Sequence, residues 1–358
     1  MHSMNAGETD NLRSFQPNRT QGIQVRAMTE DGIRLSLWDM AGQQEFHAFH
    51  DCMFPDVGTD SYQAPSMFMF VWSPIDRKSR KGKMKGIKEF EDNFRYWLKF
   101  LASKSRQSNV TLKVIVVLTH ADQIELLEDA LKIPIKSLGS EFNKVIQICK
   151  TFEVDSRNND HRVKDIRKFL FKEAKTILQG VKVYEICTKV RQDLSKYLKT
   201  SNQRIIPWSK FYDVCVARHP ILIDKAKLKT VALNLNDSGA IIYVNNVEYI
   251  VLDPDWFCSQ IMGSLIYFPD CTSSKTTLGS LVYFPNRTPS KRTLKIQGFT
   301  SRGFLEKKLE SITNFEARKG SLLVDWMKAL HLCSKVSNVD HGMSEDDEEL
   351  LFIPSTLS

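Results

Sequence analysis

The sequence predicts an α/β fold class, a doubly wound sheet followed by a smaller α+β, winged-helix-like half. Three observations lead there. Two apolar runs without alternation, Met67 to Trp72 and Val114 to Leu118, read as strands buried on both faces of a parallel sheet. Between them, Ile87 to Ser105 carries Ile87, Phe90, Phe94, Trp97, Leu98 and Leu101 at helical spacing. Beyond about residue 180 the strand–helix alternation gives way to consecutive helices and one short hairpin, which marks a second domain.

Along the chain, residues 1–18 are polar with scattered Gly, Ser and Pro, and are expected to be disordered. Ile23 to Met28 and Ile33 to Trp38 alternate, and Asp31-Gly32 between them is a strong hairpin signal. This hairpin is expected to join the two apolar strands in one sheet. Helices are expected at Leu138 to Lys150 and Val163 to Leu178, with a short strand at Thr151 to Val154. The second half reads as helices at Tyr184 to Lys199, Trp208 to Arg218 and Asp224 to Leu235. A hairpin follows, Ile241 to Val244 and Val247 to Leu252, turning at Asn245-Asn246. Asp253 is a good N-cap and Pro254 suits the first helical position, so a helix is expected to about Ile266. Gly263 to Asp270 recurs sixteen positions later as Gly279 to Asn286, a local tandem duplication that lengthens a loop rather than a solenoid.

Composition narrows the class. The 358 residues have room for two domains, and 42% hydrophobic with 26% charged residues is globular composition. The apolar runs are far too short to cross a bilayer, so no transmembrane segment is expected, and the first thirty residues show no secretory signal. Seven scattered cysteines without a C-x-x-C pair argue for reduced thiols and a cytoplasmic setting, against a zinc module or disulfide framework. The net charge is +8, much of it in Arg77 to Lys85. That run reads first as a solvated loop and second as a patch for anionic lipid, nucleic acid or a partner. It has no interleaved aromatics, and no nucleic-acid partner is expected. Glu345 to Glu349 reads as a solvated acidic linker.

The sharpest chemistry lies in Trp38-Asp39-Met40-Ala41-Gly42-Gln43, a D-x-x-G turn leaving a strand. An aspartate there can hold Mg2+ through water, a glycine lets a backbone N–H approach a γ-phosphate, and the glutamine can orient the attacking water. Thr119-His120-Ala121-Asp122 follows the second apolar strand. Its aspartate can accept hydrogen bonds from guanine N1–H and the exocyclic amine, which adenine does not offer. Ser156 and Arg157 follow a third strand, where a short base-contacting loop belongs, and Thr20 precedes the hairpin, where a switch threonine would close on Mg2+. His47, His50 and Asp51 have metal-ligand spacing but read better as switch-region surface.

This constellation resembles the Roc domain of the Roco family, whose members read T-H-x-D as here. Ser238 to Tyr243, Val251 to Phe257 and Leu351 to Leu357 resemble its COR domain. The wording of Gln43 to Asp51 and Asn109 to Leu112 is most similar to plant TORNADO-type leucine-rich-repeat Roco proteins. The resemblance implies an incomplete Ras-like P-loop GTPase sheet followed by a winged-helix-like COR-A domain. Residues 19–180 would be Roc, 181–206 a linker helix, and 207–358 the N-terminal half of COR. It also implies GTP/GDP and Mg2+ as cofactors. Gln43 would be catalytic, Thr20, Asp39, Gly42, Thr119, His120, Asp122, Ser156 and Arg157 would bind nucleotide, and Asp39 and Thr20 would hold the metal. The turns at Asp39–Gln43 and Thr119–Asp122 would frame one pocket at one rim of a common sheet.

The sequence contains no G-x-x-x-x-G-K-[ST], which supplies the lysine, the phosphate nest and the direct magnesium hydroxyl. A Roc domain lacking its first strand and P-loop is therefore expected, and a COR domain cut within its length. Two readings follow: a GTP/GDP-binding Roc-COR signalling module with impaired binding and little GTPase activity, or a non-enzymatic interaction scaffold. The resemblance further implies an intramolecular Roc-COR contact, other signalling proteins as partners, and a homodimer in full-length members.

Overall fold

Two short sheets, not one, carry the first half of the chain. The computed structural model describes residues 22–42, 65–75, 84–105, 111–121, 128–155, 161–179, 184–245, 247–263, 299–313, 319–336 and 349–353. Strands β1 (Ile23–Glu30) and β2 (Ile33–Met40) form a two-stranded sheet by themselves. Asp31 and Gly32 have φ of 49° and 76°, the two positive values a tight two-residue hairpin turn needs. Strands β3 (Met67–Trp72), β4 (Leu112–Thr119) and β5 (Ile146–Val154) form a separate parallel sheet in that order. The α/β class with a parallel sheet holds, but the expectation of one sheet containing the hairpin does not. The physical reason is that the hairpin's apolar residues are committed elsewhere, to a core described below.

Helices α1 (Ile87–Ser105), α2 (Glu128–Glu141) and α3 (His161–Ile177) surround the parallel sheet. Phe90, Phe94, Leu98 and Leu101 of α1 are buried at helical spacing, and the rings of Phe90 and Phe94 pack on Phe70 and Trp72 of β3. Ile87 is exposed and Trp97 only half-buried, on the Tyr96–Phe100 side, so two of the six expected core positions lie at its margin. Arg95 of α1 pairs with Glu141 of α2, and Lys113 of β4 reaches Glu173 of α3 at 2.6 Å. The helix expected at Leu138 to Lys150 is corrected: α2 ends at Glu141, and 146–150 belong to β5.

By its contacts the chain divides into two compact units. The first takes 27–35 and the described residues of 55–185; the second takes the described residues of 16–26, 36–54 and 186–358. The hairpin is thus shared: its tip counts with the first unit, where Glu30 meets Arg167 at 2.9 Å, and its base counts with the second.

The second unit holds two cores. One is built by α4 (Glu185–Ser201), α5 (Trp208–Arg218) and α6 (Lys225–Asp237) around Leu194, Phe211, Leu228 and Leu235. Asp224 caps α6 by accepting from the Ala226 N–H at 2.9 Å. Strand β7 (Tyr249–Val251) pairs antiparallel with β6 (Ile205–Pro207), which begins inside the segment expected to be linker. The expected hairpin from 241 to 252 is reduced to one bridge, Ile242 to Val251. The three helices stand where the sequence put them, but the two-stranded pairing beside them is β6 with β7 and not the expected wing hairpin.

The other core gathers Trp256, Phe257, Ile261, Leu305, Trp326 and Met327 with Ile23 and Ala41 of the hairpin; Val25, Trp38 and Met40 pack against it. Its elements are α7 (Pro254–Trp256), a π-helical turn Phe257–Met262, β8 (Phe299–Ser301), α8 (Arg302–Thr313), α9 (Lys319–Ala329), β9 (Ser334–Lys335) and β10 (Leu350–Phe352). β10 runs antiparallel between β8 and β9. Asp253 caps α7 as expected, accepting from the Trp256 N–H at 3.1 Å. The helix expected to continue to Ile266 changes to π geometry at Phe257, and 264–298 lie outside the described residues. Glu349 is corrected from its linker reading. It accepts from Lys328 at 2.7 Å and from Arg302 at 3.1 Å.

Candidate functional site

Parallel pairing brings the carboxyl ends of β3, β4 and β5 to one edge, since Trp72 lies opposite Leu118 and Thr119 opposite Val154. Ligands of open α/β sheets bind outside the carboxyl ends of strands. The residues that follow the three strands here are Ser73, His120 and Asp155. The Thr119 hydroxyl donates to the Trp72 carbonyl at 3.1 Å, tying the end of β4 to the end of β3. His120 has φ of 60°, so the chain bends sharply as it leaves β4. Its Nδ1 lies 3.1 Å from Thr119 Oγ1 and 3.4 Å from Ser73 Oγ, while Ser73 Oγ accepts from the Ile75 N–H at 3.2 Å. Asp155 is a buried carboxylate one residue past β5. Ser73 was not read from the sequence as part of the site, whereas Asp155 opens the segment Asp155-Ser156-Arg157 read there as the base-contacting loop. The only signal for Ser73 was position, directly after a buried strand.

The second group stands at the end of β2. Asp39 is half-buried, and Gly42 is exposed two residues beyond the strand. The Ala41 N–H donates to the Gly22 carbonyl at 3.0 Å, closing the base of the hairpin. Val25 N–H donates to Asp255 Oδ1 at 2.7 Å, which fastens β1 to α7. Trp38 is held from its other side: its Nε1 donates to Ser36 Oγ at 3.2 Å, and a Cβ at Gly239 would come within 2.8 Å of that nitrogen. Asp39 and Gly42 therefore issue from a strand rooted in the second unit's core, while Thr119 and His120 belong to the first unit's parallel sheet. Among the described residues, the strands that lead to the two turns pair into separate sheets.

Thr20, Gln43, Asp122, Ser156 and Arg157 lie outside the described residues, as do His47, His50, Asp51 and all but the end of the basic run. Among the described residues no three His, Cys, Asp or Glu side chains gather as a metal site. The five described cysteines are free thiols. Burial pushes Cys215 and Cys333 up to about 12 and Cys258 higher, so none is a ready nucleophile at neutral pH. No helix of the described residues is long and apolar enough to cross a membrane.

No protein-family model matches the chain. Among curated proteins it is similar to Protein TORNADO 1 of Arabidopsis thaliana, 30% identical over 368 aligned positions that cover 94% of this chain and 24% of that protein. It is also similar to the probable serine/threonine-protein kinase pats1 of Dictyostelium discoideum, 20% identical over 240 positions covering 64% of this chain and 6% of that protein. The chain thus spans about a quarter of the first relative's length and far less of the second's. Among solved structures it matches the RocCORdC portion of Methanosarcina barkeri Roco2 bound to GDP. The TM-score is 0.55 at 19% identity, over 96% of this chain and 88% of that one, a likeness of fold.

Proposed function

The chain belongs to the Roco family, and on that premise we propose that it is a Roc-COR module of a cytoplasmic signalling scaffold that binds guanine nucleotide weakly and hydrolyses GTP negligibly. The observation that carries this reading is the carboxyl edge of the parallel sheet, where Ser73, Thr119, His120 and Asp155 stand at the ends of adjacent strands in a chain whose sequence carries no G-x-x-x-x-G-K-[ST]. Among the described residues β2, which leads to Asp39 and Gly42, pairs with β1, and β4, which ends at Thr119 before His120, lies between β3 and β5.

On the base side, Thr119 and His120 end β4 at the sheet edge, Asp122 would accept from guanine N1–H and the exocyclic amine, and Ser156 and Arg157 would contact the base. On the phosphate side, Gly42 N–H would meet the γ-phosphate and Gln43 would orient water. The sequence carries no G-x-x-x-x-G-K-[ST] to hold the α- and β-phosphates. The solved Roco2 relative is bound to GDP, which supports guanine nucleotide as the ligand class. Mg2+ would rest on Asp39 and Thr20. Asp39 is one half-buried carboxylate, and among the described residues no metal-ligating cluster forms.

Membership of the Roco family supports an intramolecular Roc-COR contact, with other signalling proteins, or a second copy in the whole protein, as partners. Titration with a fluorescent GTP analogue tests the reading. The expected result is weak binding, Kd well above a micromolar, weakened further by Asp122→Ala and accompanied by no measurable phosphate release. Sub-micromolar binding that Asp122→Ala abolishes would overturn it.

A further inference from the structure

We propose that the outer edge of β5 takes an extended acidic peptide of a partner protein as an added strand. The order β3-β4-β5 makes β5 an edge, and among the described residues no strand pairs with its outer side. At nine residues it offers an edge of roughly 30 Å at strand rise. Long edges of this kind are templates for strand addition, in which main-chain hydrogen bonds supply affinity and flanking pockets supply specificity.

Pockets flank this edge on both faces. Between α2 and β5 lies a cavity of about 590 Å3 with Leu131, Ile135 and Ile148 in its lining and Lys132 and Lys136 one helical turn apart. Between β5 and α3 lies a second, of about 370 Å3, lined by Phe152 and Phe169 and by Lys150, Arg162, Lys168 and Lys172. Lys150 Nζ stands 4.7 Å and 5.5 Å from the centroids of the two rings, which places its charge over the apolar lining. Each cavity contains one carboxylate, Glu153 in the first and Asp165 in the second, so cations prevail in both. The ion pair Lys168–Asp165, at 3.9 Å with both side chains largely exposed, is too weak to hold Lys168 from a ligand.

An added strand points successive side chains to opposite faces of the sheet. Residues of one parity would enter the α2-side cavity and those of the other parity the α3-side cavity, and both receive carboxylates on short apolar stems. A membrane plane reaches one face of a sheet, not both, and a nucleic-acid strand would need a continuous track. The geometry favours a peptide.

The probe is a fluorescein-labelled peptide of repeating Glu-Glu-Val-Val, about ten residues long to match the edge, so that each face of the added strand carries Glu. Two controls accompany it: the same peptide with Lys for Glu, and the Glu-Val peptide N-methylated at alternate residues, which keeps its charge but loses strand hydrogen bonds. The expected result is saturable binding that falls roughly tenfold or more on N-methylation and on the exposed double change Lys168→Glu, Lys172→Glu. Peptide addition should also slow amide exchange across Ile146–Val154. Equal binding of the N-methylated peptide would show charge attraction alone and overturn the proposal, as would no saturable binding. Displacement of the peptide by vesicles of phosphatidylserine and phosphatidylcholine would overturn it in favour of a membrane surface.

Discussion

Gly22 and Gly42 sit at either end of the hairpin's base and answer to different demands. Gly22 has φ of +69°, and a Cβ there would lie 2.4 Å from the Cys258 carbonyl oxygen, at the start of the π-helical turn. Both conformation and contact require glycine. At Gly42 a Cβ would meet nothing within 4 Å, and no positive φ is imposed, so the folded chain itself does not require that glycine. Gly22→Ala is expected to cost about 1–3 kcal/mol in urea unfolding, while Gly42→Ala should stay within about 0.5 kcal/mol of the parent. If Gly42→Ala alone lowered stability as Gly22→Ala does, packing and not a ligand would account for that residue. The D-x-x-G motif was legible because it is local in sequence. The docking of Gly22 was not, since the oxygen it meets lies 236 positions further along the chain.

Arg302, at the start of α8, ties together elements distant in sequence. It bonds Glu306 at 2.6 Å, Asp325 of α9 at 2.9 Å and Glu349 beside β10 at 3.1 Å, and Lys328 of α9 shares Glu349. Donation from Lys328 draws the Glu349 carboxyl below its ordinary value; burial opposes this, and donation from Arg302 adds to it. A carboxyl depressed in the folded state lends stability that is full above its ordinary value of 4.5 and is lost as pH falls through the lower folded value. Glu349→Gln should therefore lower the unfolding free energy from urea titration at neutral pH, by roughly 1 kcal/mol after screening, and flatten the decline on acidification below about pH 5. An unchanged acid limb would mean that Glu349 is not its source. At this scale helices with one clear apolar face were legible: α1, α5 and α6 stand close to where spacing put them. The Leu138–Lys150 segment misled because Leu138, Phe142, Ile146 and Cys149 keep helical spacing. The edge of β4 nonetheless takes Ile146 onward into the sheet, and Pro134 inside α2 hid the true helix. Glu349 read as linker because an ion network has no sequence period.

Among the described residues, Phe90, Phe94, Leu98 and their buried neighbours in the first unit belong to neither core of the second. Phe90→Ala, which empties a fully buried ring site, should cost the first unit about 3–5 kcal/mol. Amide exchange should quicken across β3, β4 and β5 and stay unchanged in α5 and α6; loss of protection in all five together would mean the units unfold as one. The hairpin is the exception to this division, because its base belongs to a core completed by Asp255, Trp256 and Trp326. Val25 meets Asp255 across 230 positions of sequence. During synthesis at about 5–20 residues per second, the strand reaches the ribosome exit roughly ten to fifty seconds before the carboxylate that fastens it. Through that interval Ile23, Val25, Trp38 and Met40 wait for the apolar partners that the second core supplies, so the nascent hairpin's stickiest face is open to non-native contacts.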